Sequence, residues 1–263
     1  MSYGASAFPP VWKNIIGYDK PSTIKPYEKR MNADELALSL RETISRGLVL
    51  YLPFVRFVPH RPDTITKVFD RSPFGNHGTI HGAVWQTLPS GKSVLSFDEV
   101  DDYVEVPDSN SLRLQRFTIT VWFKSSTYDD GLIRPFAKKG ESWGWKLFNY
   151  AFCVRGKGLK YILIVGDGTE YYEVSSPEIT PNEWHFGAGV YDGEYLIIYD
   201  NGVEIARQKI GEKTLYTSDD PLWISRISYA LNGTIDEVRI YSRALSEEEI
   251  RRLYELTRVF YGV

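Results

Sequence analysis

Short runs in which apolar and polar residues alternate make up most of the chain after Leu48. In residues 117–123 every second side chain is Phe, Ile or Val, and residues 231–241 form the last strand-like run. A period of two residues is typical of a β-strand with one buried face. The pattern therefore predicts a domain built from many short strands.

Turn residues separate these runs and indicate how the strands are connected. Asp192 and Gly193 lie between residues 184–191 and 195–199, and Asp-Gly in this position is a strong hairpin signal. A second turn follows at residues 200–202, Asp-Asn-Gly. Many short strands with close turns, and helices only at the ends, predict an all-β fold. In this fold, two antiparallel sheets form a jelly-roll sandwich.

Two helices are predicted outside the strand region. Asn32 has the position of an N-cap with Glu35 three residues later, which is the spacing of a capping box, and Gly47 ends this short N-terminal helix. Ser246 caps the C-terminal helix, and the three glutamates at 247–249 suit the positive end of its dipole.

Residues 1–31 are predicted to form an extended arm, because the four prolines in this segment block helix and central strand. Aromatic side chains such as Trp12 are rare in disordered tails. We therefore expect the arm to dock on its own domain or on a neighbouring subunit. The chain divides into residues 1–47, for docking or assembly, and residues 48–263, the jelly-roll domain with its C-terminal helix.

Charge and composition exclude several functional classes. The chain has 31 basic and 34 acidic residues and a net charge of −3. It therefore lacks the excess of positive charge expected of a protein that binds nucleic acid or an anionic membrane. No run approaches the ~20 apolar residues of a membrane span, so membrane insertion is not expected. Cys153 is the only cysteine, which excludes an intramolecular disulfide.

The start of the chain bears on localisation. It lacks the basic and apolar regions of a secretory signal, so cytoplasmic synthesis is expected. With three glutamines and one cysteine, the composition also points to a thermophile.

Five segments resemble motifs of one family, in order along the chain. They are FDRSPFGNHGTIHGA, VLSFDEVDDYVEVPDSNSL, RFTITVWFK, NEWHFGAGVYDGEYLIIYDNGVEIA and LNGTIDEVRIYSRALSEEEIRRLY. Over residues 48–254 the chain resembles the laminin-G-like, concanavalin A-like jelly rolls of lectin-like and pentraxin-like modules. The resemblance implies the sandwich fold, which also serves adhesion modules, glycosidases and lyases. One departure is Glu99, which stands where the family usually has glycine after the Phe-Asp pair.

The family resemblance also implies a structural calcium ion that joins the early loop to the last strand. Asp70, Asn76 and Asp236 are the residues that match its ligands. Hard cations prefer oxygen ligands of this kind. The alternative is that Asp70 and Asn76 only cap turns while Asp236 pairs with an arginine such as Arg239.

Glu99 and Asp101 are the candidates for glycosidase chemistry. Related jelly-roll hydrolases place carboxylates along one strand face, and a retaining enzyme needs its pair ~5–5.5 Å apart. Tyr103 stands where a third carboxylate would come, and residues 102–106 have the pattern of a strand with its polar face outward. The sequence therefore favours a turn and a strand here over a catalytic site.

Aromatic side chains form the candidate ligand-binding surface. Trp143 and Trp145 lie two residues apart on one predicted strand face, Tyr171 and Tyr172 add to them, and Tyr128 lies in a polar loop. Tryptophan and tyrosine cover the apolar C–H faces of sugars while neighbouring polar groups contact the hydroxyls. Packing in the core or between subunits is the alternative for the tryptophans.

The resulting hypothesis is a non-enzymatic, lectin-like binding or attachment module that recognises a glycan or a surface protein. Residues 1–47 would place it in a homo-oligomer or a larger assembly such as a virion-like particle. Two alternatives stay open. One is a purely structural coat or decoration protein of a viral particle, and the other is a glycoside hydrolase or lyase on the same fold.

Overall fold

The computed structural model describes residues 44–54, 66–128, 132–140, 147–226 and 230–263. They form sixteen strands and the C-terminal helix α1 (Glu247–Thr257). In chain order, the strands are β1 (Leu48–Leu52), β2 (Lys67–Val68), β3 (Gly78–His81), β4 (Val84–Thr87), β5 (Ser93–Asp98), β6 (Tyr103–Val106), β7 (Phe117–Ser125), β8 (Ile133–Lys139), β9 (Tyr150–Arg155), β10 (Lys160–Gly166), β11 (Tyr171–Glu178), β12 (His185–Tyr191), β13 (Tyr195–Asp200), β14 (Val203–Lys209), β15 (Leu222–Ile224) and β16 (Asn232–Tyr241).

The strands pair into two antiparallel sheets of eight strands each. The order in the first sheet is β14-β13-β12-β7-β16-β5-β4, and β1 pairs with the part of β16 that lies beyond β5. The order in the second sheet is β11-β10-β9-β8-β15-β6-β3-β2. This architecture confirms the predicted all-β, two-sheet jelly-roll sandwich.

The main core lies between the two sheets. Ile119 and Val121 of β7 and Leu163 of β10 are fully buried there. Their neighbours along each strand, such as Trp122 and Ile164, face away from this core. This arrangement confirms the period of two that the sequence shows, since alternate side chains of a strand point to opposite faces.

The predicted hairpins are present. β12 and β13 are joined at Asp192-Gly193, with Tyr191 opposite Leu196. At the turn between β13 and β14, Asn201 and Gly202 both have positive φ, +50° and +82°. Hairpin turns with this backbone favour Asn and Gly, which is why the sequence signal was reliable.

Helix α1 covers the outer face of the first sheet. Ser246 Oγ accepts the N–H of Glu249, and the Glu249 side chain accepts the N–H of Ser246, which completes the predicted cap. Ile250 and Leu253 pack beside Trp122, the outward side chain of β7. Of the helices described, none has the length and apolar character needed to cross a membrane.

The predicted N-terminal arm, residues 1–31, lies outside the described residues. The same holds for the N-terminal helix predicted from Asn32, apart from its last four residues up to Gly47. Both therefore stay predictions.

Candidate functional site

Tyr128 is buried, although it was predicted to contact a ligand. Its side chain is 2 % exposed, and the guanidinium of Arg134 lies 3.9 Å from the centre of its ring. Its hydroxyl lies 2.6 Å from Ser125 Oγ and accepts the N–H of Asn232 at 3.0 Å. These contacts give Tyr128 a structural role and do not fit direct contact with a ligand.

Tyr171 remains available as a ligand contact. It begins the edge strand β11 and is 46 % exposed. Trp143 and Trp145 lie outside the described residues, so their predicted role stays a prediction.

Asp70 organises a turn through both of its carboxylate oxygens. Oδ1 accepts the N–H groups of Tyr51 and Ser72, each at 2.8 Å. Oδ2 accepts the hydroxyl of Ser72 at 2.6 Å and the N–H of Asn76 at 2.7 Å. Asn76 Nδ2 in turn donates to the carbonyl of Val49 at 2.8 Å. Four donors occupy the four lone-pair positions of the Asp70 carboxylate, so a cation would have to displace them.

Asp236, the third residue matched to a calcium ligand, is fully buried in β16 among protein donors. Oδ1 accepts the N–H of Glu237 at 2.7 Å, and Oδ2 accepts the hydroxyl of Tyr261 at 2.7 Å and lies 3.2 Å from Lys92 Nζ. Burial raises the pKa of Asp236, and the charge of Lys92 opposes this effect. Calcium takes about 6–8 oxygen ligands. The contacts of Asp70 and Asp236 do not fit such a site, and calcium binding stays a prediction.

Glu99 has a structural partner in the turn between β5 and β6. Its φ is +70°, a region that glycine adopts at no cost, which explains why glycine is usual at this position in the family. Oε1 lies 2.8 Å from Arg134 Nη2, and Oε2 accepts from Asn232 Nδ2 at 3.3 Å. Asp101, its candidate partner in catalysis, is exposed. The geometry supports a role for Glu99 in holding the turn against β8.

The neighbouring aspartates are held by hydrogen bonds inside the same turn. Carboxylate oxygens of Asp98, Asp101 and Asp102 lie within 4.8 Å of one another. Asp102 Oδ2 accepts the N–H of Asp98 at 2.9 Å, and burial raises the pKa of Asp102. These contacts explain the acid-dense segment as a turn.

An open cleft lies at one end of the sandwich, and we refer to it as the rim cleft. Its volume is about 440 Å³, and its lining consists of Arg116, Asp192, Gly193, Glu194 and Glu212. These residues come from the position just before β7, the β12–β13 turn and the segment that follows β14. Three carboxylates and one guanidinium therefore line this open cleft, and together they can accept and donate hydrogen bonds.

The turn between β12 and β13 fixes the geometry of this cleft. Asp192 Oδ1 accepts the N–H groups of Glu194 and Tyr195 at 2.8 and 2.7 Å. The guanidinium of Arg116 packs directly against Gly193. A Cβ added to this glycine would lie 2.5 Å from Arg116 Nε, so Arg116 can keep this position only beside glycine. The Arg116 side chain therefore packs on the β12–β13 turn and is still 59 % exposed to solvent.

Tyrosines connect the rim cleft to the β10–β11 hairpin. The Tyr191 hydroxyl donates to the carbonyl of Gly193 at 3.1 Å and accepts the N–H of Lys213 at 3.0 Å. Lys213 Nζ lies 4.4 Å from the ring centre of Tyr172, the residue after Tyr171. Tyr172 thus lies at the same end of the sandwich as the rim cleft, whereas the exposed side chain of Tyr171 points to the opposite face of β11.

Sequence reasoning named Tyr171 as a ligand contact, which stays a prediction, and missed Arg116 and Glu212, which line the rim cleft. The Asp192-Gly193 signal located the turn. No local pattern indicated that segments nearly a hundred residues apart would meet beside it, because that contact depends on the strand order.

His185 belongs to a buried polar group elsewhere in the sandwich. Nδ1 lies 2.9 Å from Asp200 Oδ1, and Nε2 lies 2.8 Å from the carbonyl oxygen of Thr180. The Tyr161 hydroxyl donates to the same Asp200 oxygen at 2.8 Å. Both ring nitrogens face acceptors, an arrangement that favours the doubly protonated, cationic form of the ring. Burial is the largest single effect and lowers the pKa of His185, but the hydrogen bond and charge of Asp200, together with the Thr180 carbonyl and the charge of Glu183, outweigh it, so the net shift of the pKa is upward.

This upward shift predicts a defined pH dependence of stability. A histidine whose pKa is raised by folding stabilises the folded state when it is protonated. This stabilisation is complete at pH values below its pKa in the unfolded chain, about 6.5, and is lost as the pH rises through its pKa in the folded protein. We expect His185→Gln to reduce the denaturation midpoint most at pH 5–6 and progressively less at alkaline pH. When Asp200→Asn is added to His185→Gln, the denaturation midpoint of the double variant should show no further change in its dependence on pH. An equal loss at all pH values would contradict a charged His185.

Comparison with known proteins places this geometry in context. Residues 98–251, more than half of the chain, match the laminin G-like family described as the concanavalin A-like lectin/glucanases superfamily. No curated protein sequence matches the chain.

Solved structures with the same fold include binding domains of clostridial toxins. The binding domain of Paraclostridial Mosquitocidal Protein 1 aligns with a TM-score of 0.67 at 14 % identity, over 83 % of this chain and 56 % of that one. The ligand binding domain of botulinum neurotoxin serotype D, in complex with N-acetylneuraminic acid, aligns with a TM-score of 0.65 at 16 % identity, over 85 % and 55 %. The binding domain of botulinum neurotoxin DC, in complex with rat synaptotagmin II, aligns with a TM-score of 0.61 at 14 % identity, over 80 % and 51 %. The chain spans about half the length of each, and at this identity the likeness shows the fold.

Proposed function

The chain belongs to the concanavalin A-like lectin/glucanases superfamily, and on this premise we propose that it is a non-enzymatic module that binds a glycan. The rim cleft is the observation that carries the proposal. Sugar hydroxyls both donate and accept hydrogen bonds, so carboxylates and a guanidinium around one cleft suit them. The toxin binding domains of the same fold support a binding role, since one is in complex with N-acetylneuraminic acid.

The charge of the rim cleft bears on which glycans it accepts. Asp192, Glu194 and Glu212 contribute three carboxylates against one guanidinium, and Lys209 Nζ lies 2.7 Å from Glu194 Oε1. An excess of negative charge repels an acidic sugar and tolerates a neutral one. The proposed ligand is therefore a neutral oligosaccharide. The exposed Tyr171, on the outer face of β11, is a separate candidate contact for the C–H face of a sugar ring outside the cleft.

Two variants test this proposal on an array of neutral and sialylated oligosaccharides. We expect the wild-type protein to bind neutral members. Arg116→Ala should weaken binding to them about tenfold, which is the effect of losing ~1.4 kcal/mol of binding free energy. Tyr171→Ala should weaken it similarly if the ring stacks on the sugar. Both side chains are exposed, so neither change is expected to unfold the domain.

Phe74→Ala is the matched control, because Phe74 is an exposed aromatic residue, 55 % accessible, that does not line the rim cleft. It should bind as the wild type does. If the Arg116→Ala protein binds neutral oligosaccharides as strongly as the wild type does, the rim cleft is not the binding site. A wild-type protein that binds no glycan would contradict glycan recognition itself.

Display through residues 1–47, on a homo-oligomer or a virion-like particle, is the second part of the proposal. The aromatic and apolar side chains of residues 1–31 in the sequence support it. Several copies on one particle would raise the avidity of a weak site without any new contact. A monomeric mass for the full chain in light scattering would contradict this part.

A further inference from the structure

Lys92 joins two buried carboxylates of the last strand. It lies in the turn between β4 and β5, and its Nζ is 2.8 Å from Glu237 Oε1 and 3.2 Å from Asp236 Oδ2. The Asp236 side chain is 0 % exposed and that of Glu237 is 6 % exposed. A cationic centre between two adjacent buried carboxylates is the arrangement that a bound metal ion otherwise supplies.

The other contacts of the two carboxylates complete this group without a metal ion. Tyr261 donates its hydroxyl to Asp236 Oδ2 at 2.7 Å, and the guanidinium of Arg239 binds Glu237 Oε2. Two cations therefore face two carboxylates, which balances the charge when both carboxylates are ionised.

A backbone irregularity in the middle of β16 lets both carboxylates reach the same cation. The pairing of β16 with β7 shifts between Asp236 and Arg239, which marks a β-bulge, and Glu237 within it has φ +52°. A bulge lets two consecutive residues escape the usual alternation of faces. Asp236 and Glu237 can therefore both reach Lys92.

We propose that the Lys92 ammonium takes the structural role at Asp236 that the family resemblance assigns to calcium. The cation that ties an early segment to the last strand is then part of the chain itself. The fold is consequently independent of calcium. The proposal concerns the stability of the sandwich and does not depend on the glycan proposal.

Independence of calcium, the first consequence, is tested by measuring the thermal unfolding midpoint in millimolar calcium and in the presence of a chelator. We expect the midpoint of the wild-type protein to be the same in both. A midpoint that rises in calcium and no longer does so in Asp236→Asn would overturn the proposal, because it would show that Asp236 holds the metal ion.

Substitution of Lys92 tests the second consequence. Lys92→Met keeps most of the apolar stem and removes the charge, which leaves two buried carboxylates short of one partner, and we expect the midpoint to fall by about 10 °C. Lys92→Arg keeps the charge and should lose far less. The double variant Lys92→Met with Asp236→Asn should recover part of the loss, since the unpaired charge is gone.

Lys209→Met is the matched control, because Lys209 pairs with Glu194 at a similar distance, 2.7 Å, on the exposed surface. It should change the midpoint little. A Lys92→Met protein as stable as this control would overturn the proposal, and so would a double variant that recovers nothing. If Lys92→Met does not fold, Lys92→Arg and the calcium series on the wild type still decide between ammonium and metal.

Discussion

Replacing Trp122 with alanine is expected to lower the free energy of unfolding by about 3–5 kcal/mol, the cost of removing a large buried side chain. Trp122 is fully buried between the first sheet and the C-terminal segment. Its ring stacks on Tyr261 with centroids 4.1 Å apart and lies 5.4 and 5.8 Å from the rings of Phe186 and Tyr254. Its Nε1 donates to Thr257 Oγ1 at 2.8 Å. One residue therefore holds both α1 and the residues after it on the sheet.

Urea denaturation followed by circular dichroism measures this loss. Folded domains have about 5–15 kcal/mol of stability, so the Trp122→Ala loss should be a large part of the total and should move the urea midpoint clearly downward. Trp122→Phe is the matched control, because it keeps an aromatic ring and removes the hydrogen bond to Thr257, at a cost of about 1–2 kcal/mol. A Trp122→Ala protein that loses no more than the phenylalanine variant would contradict the packing role of the ring.

Replacing Arg239 with methionine is expected to lower the free energy of unfolding by about 3–5 kcal/mol, because it takes from the buried Glu237 carboxylate one of its two cationic partners and leaves only Lys92. The Arg239 and Glu237 side chains are 7 % and 6 % exposed, and the guanidinium lies 4.2 Å from the ring centre of Tyr51. Methionine fills a similar volume, so the loss reports the broken ion pair more than a cavity.

Arg207 offers a control with the same chemistry on the surface. It binds Glu204 through two hydrogen bonds of 2.8 and 2.7 Å and lies 5.2 Å from the ring centre of Tyr195. Its side chain is 43 % exposed, so solvent screens the pair and Arg207→Met should cost at most about 1 kcal/mol. The two variants compared in one urea series isolate the effect of burial. Equal losses in both would show that burial does not decide the value of this contact.

Features that depend on neighbouring residues could be predicted from the sequence. The β12–β13 hairpin follows from Asp192-Gly193, and the cap of α1 follows from Ser246 and Glu249, because each depends only on residues a few positions apart. The alternation in β7 likewise predicted which side chains face the core. The family resemblance extended these local signals to the whole sandwich.

Features that depend on the strand order could not be predicted in the same way. Lys92 and Glu237 lie 145 positions apart, and nothing near either residue indicates the other. Tyr128 was expected on the surface because its loop is polar, but Ser125 and Asn232 satisfy its hydroxyl and allow it to be buried. A polar group can enter the core once its hydrogen bonds are made there, and those partners become visible only in the fold.

The central position of β16 has a consequence for how the protein is made. β16 is the last strand in the chain but lies between β7 and β5 in the first sheet, where Asp236 is opposite Trp122. At about 5–20 residues per second, a ribosome completes β7 several seconds before β16 emerges. During that interval β7 and β5 each expose an unpaired edge and an apolar face, which favour aggregation. The yield of folded protein in a cell should therefore depend on chaperones that cover the nascent chain, even when the finished domain is stable.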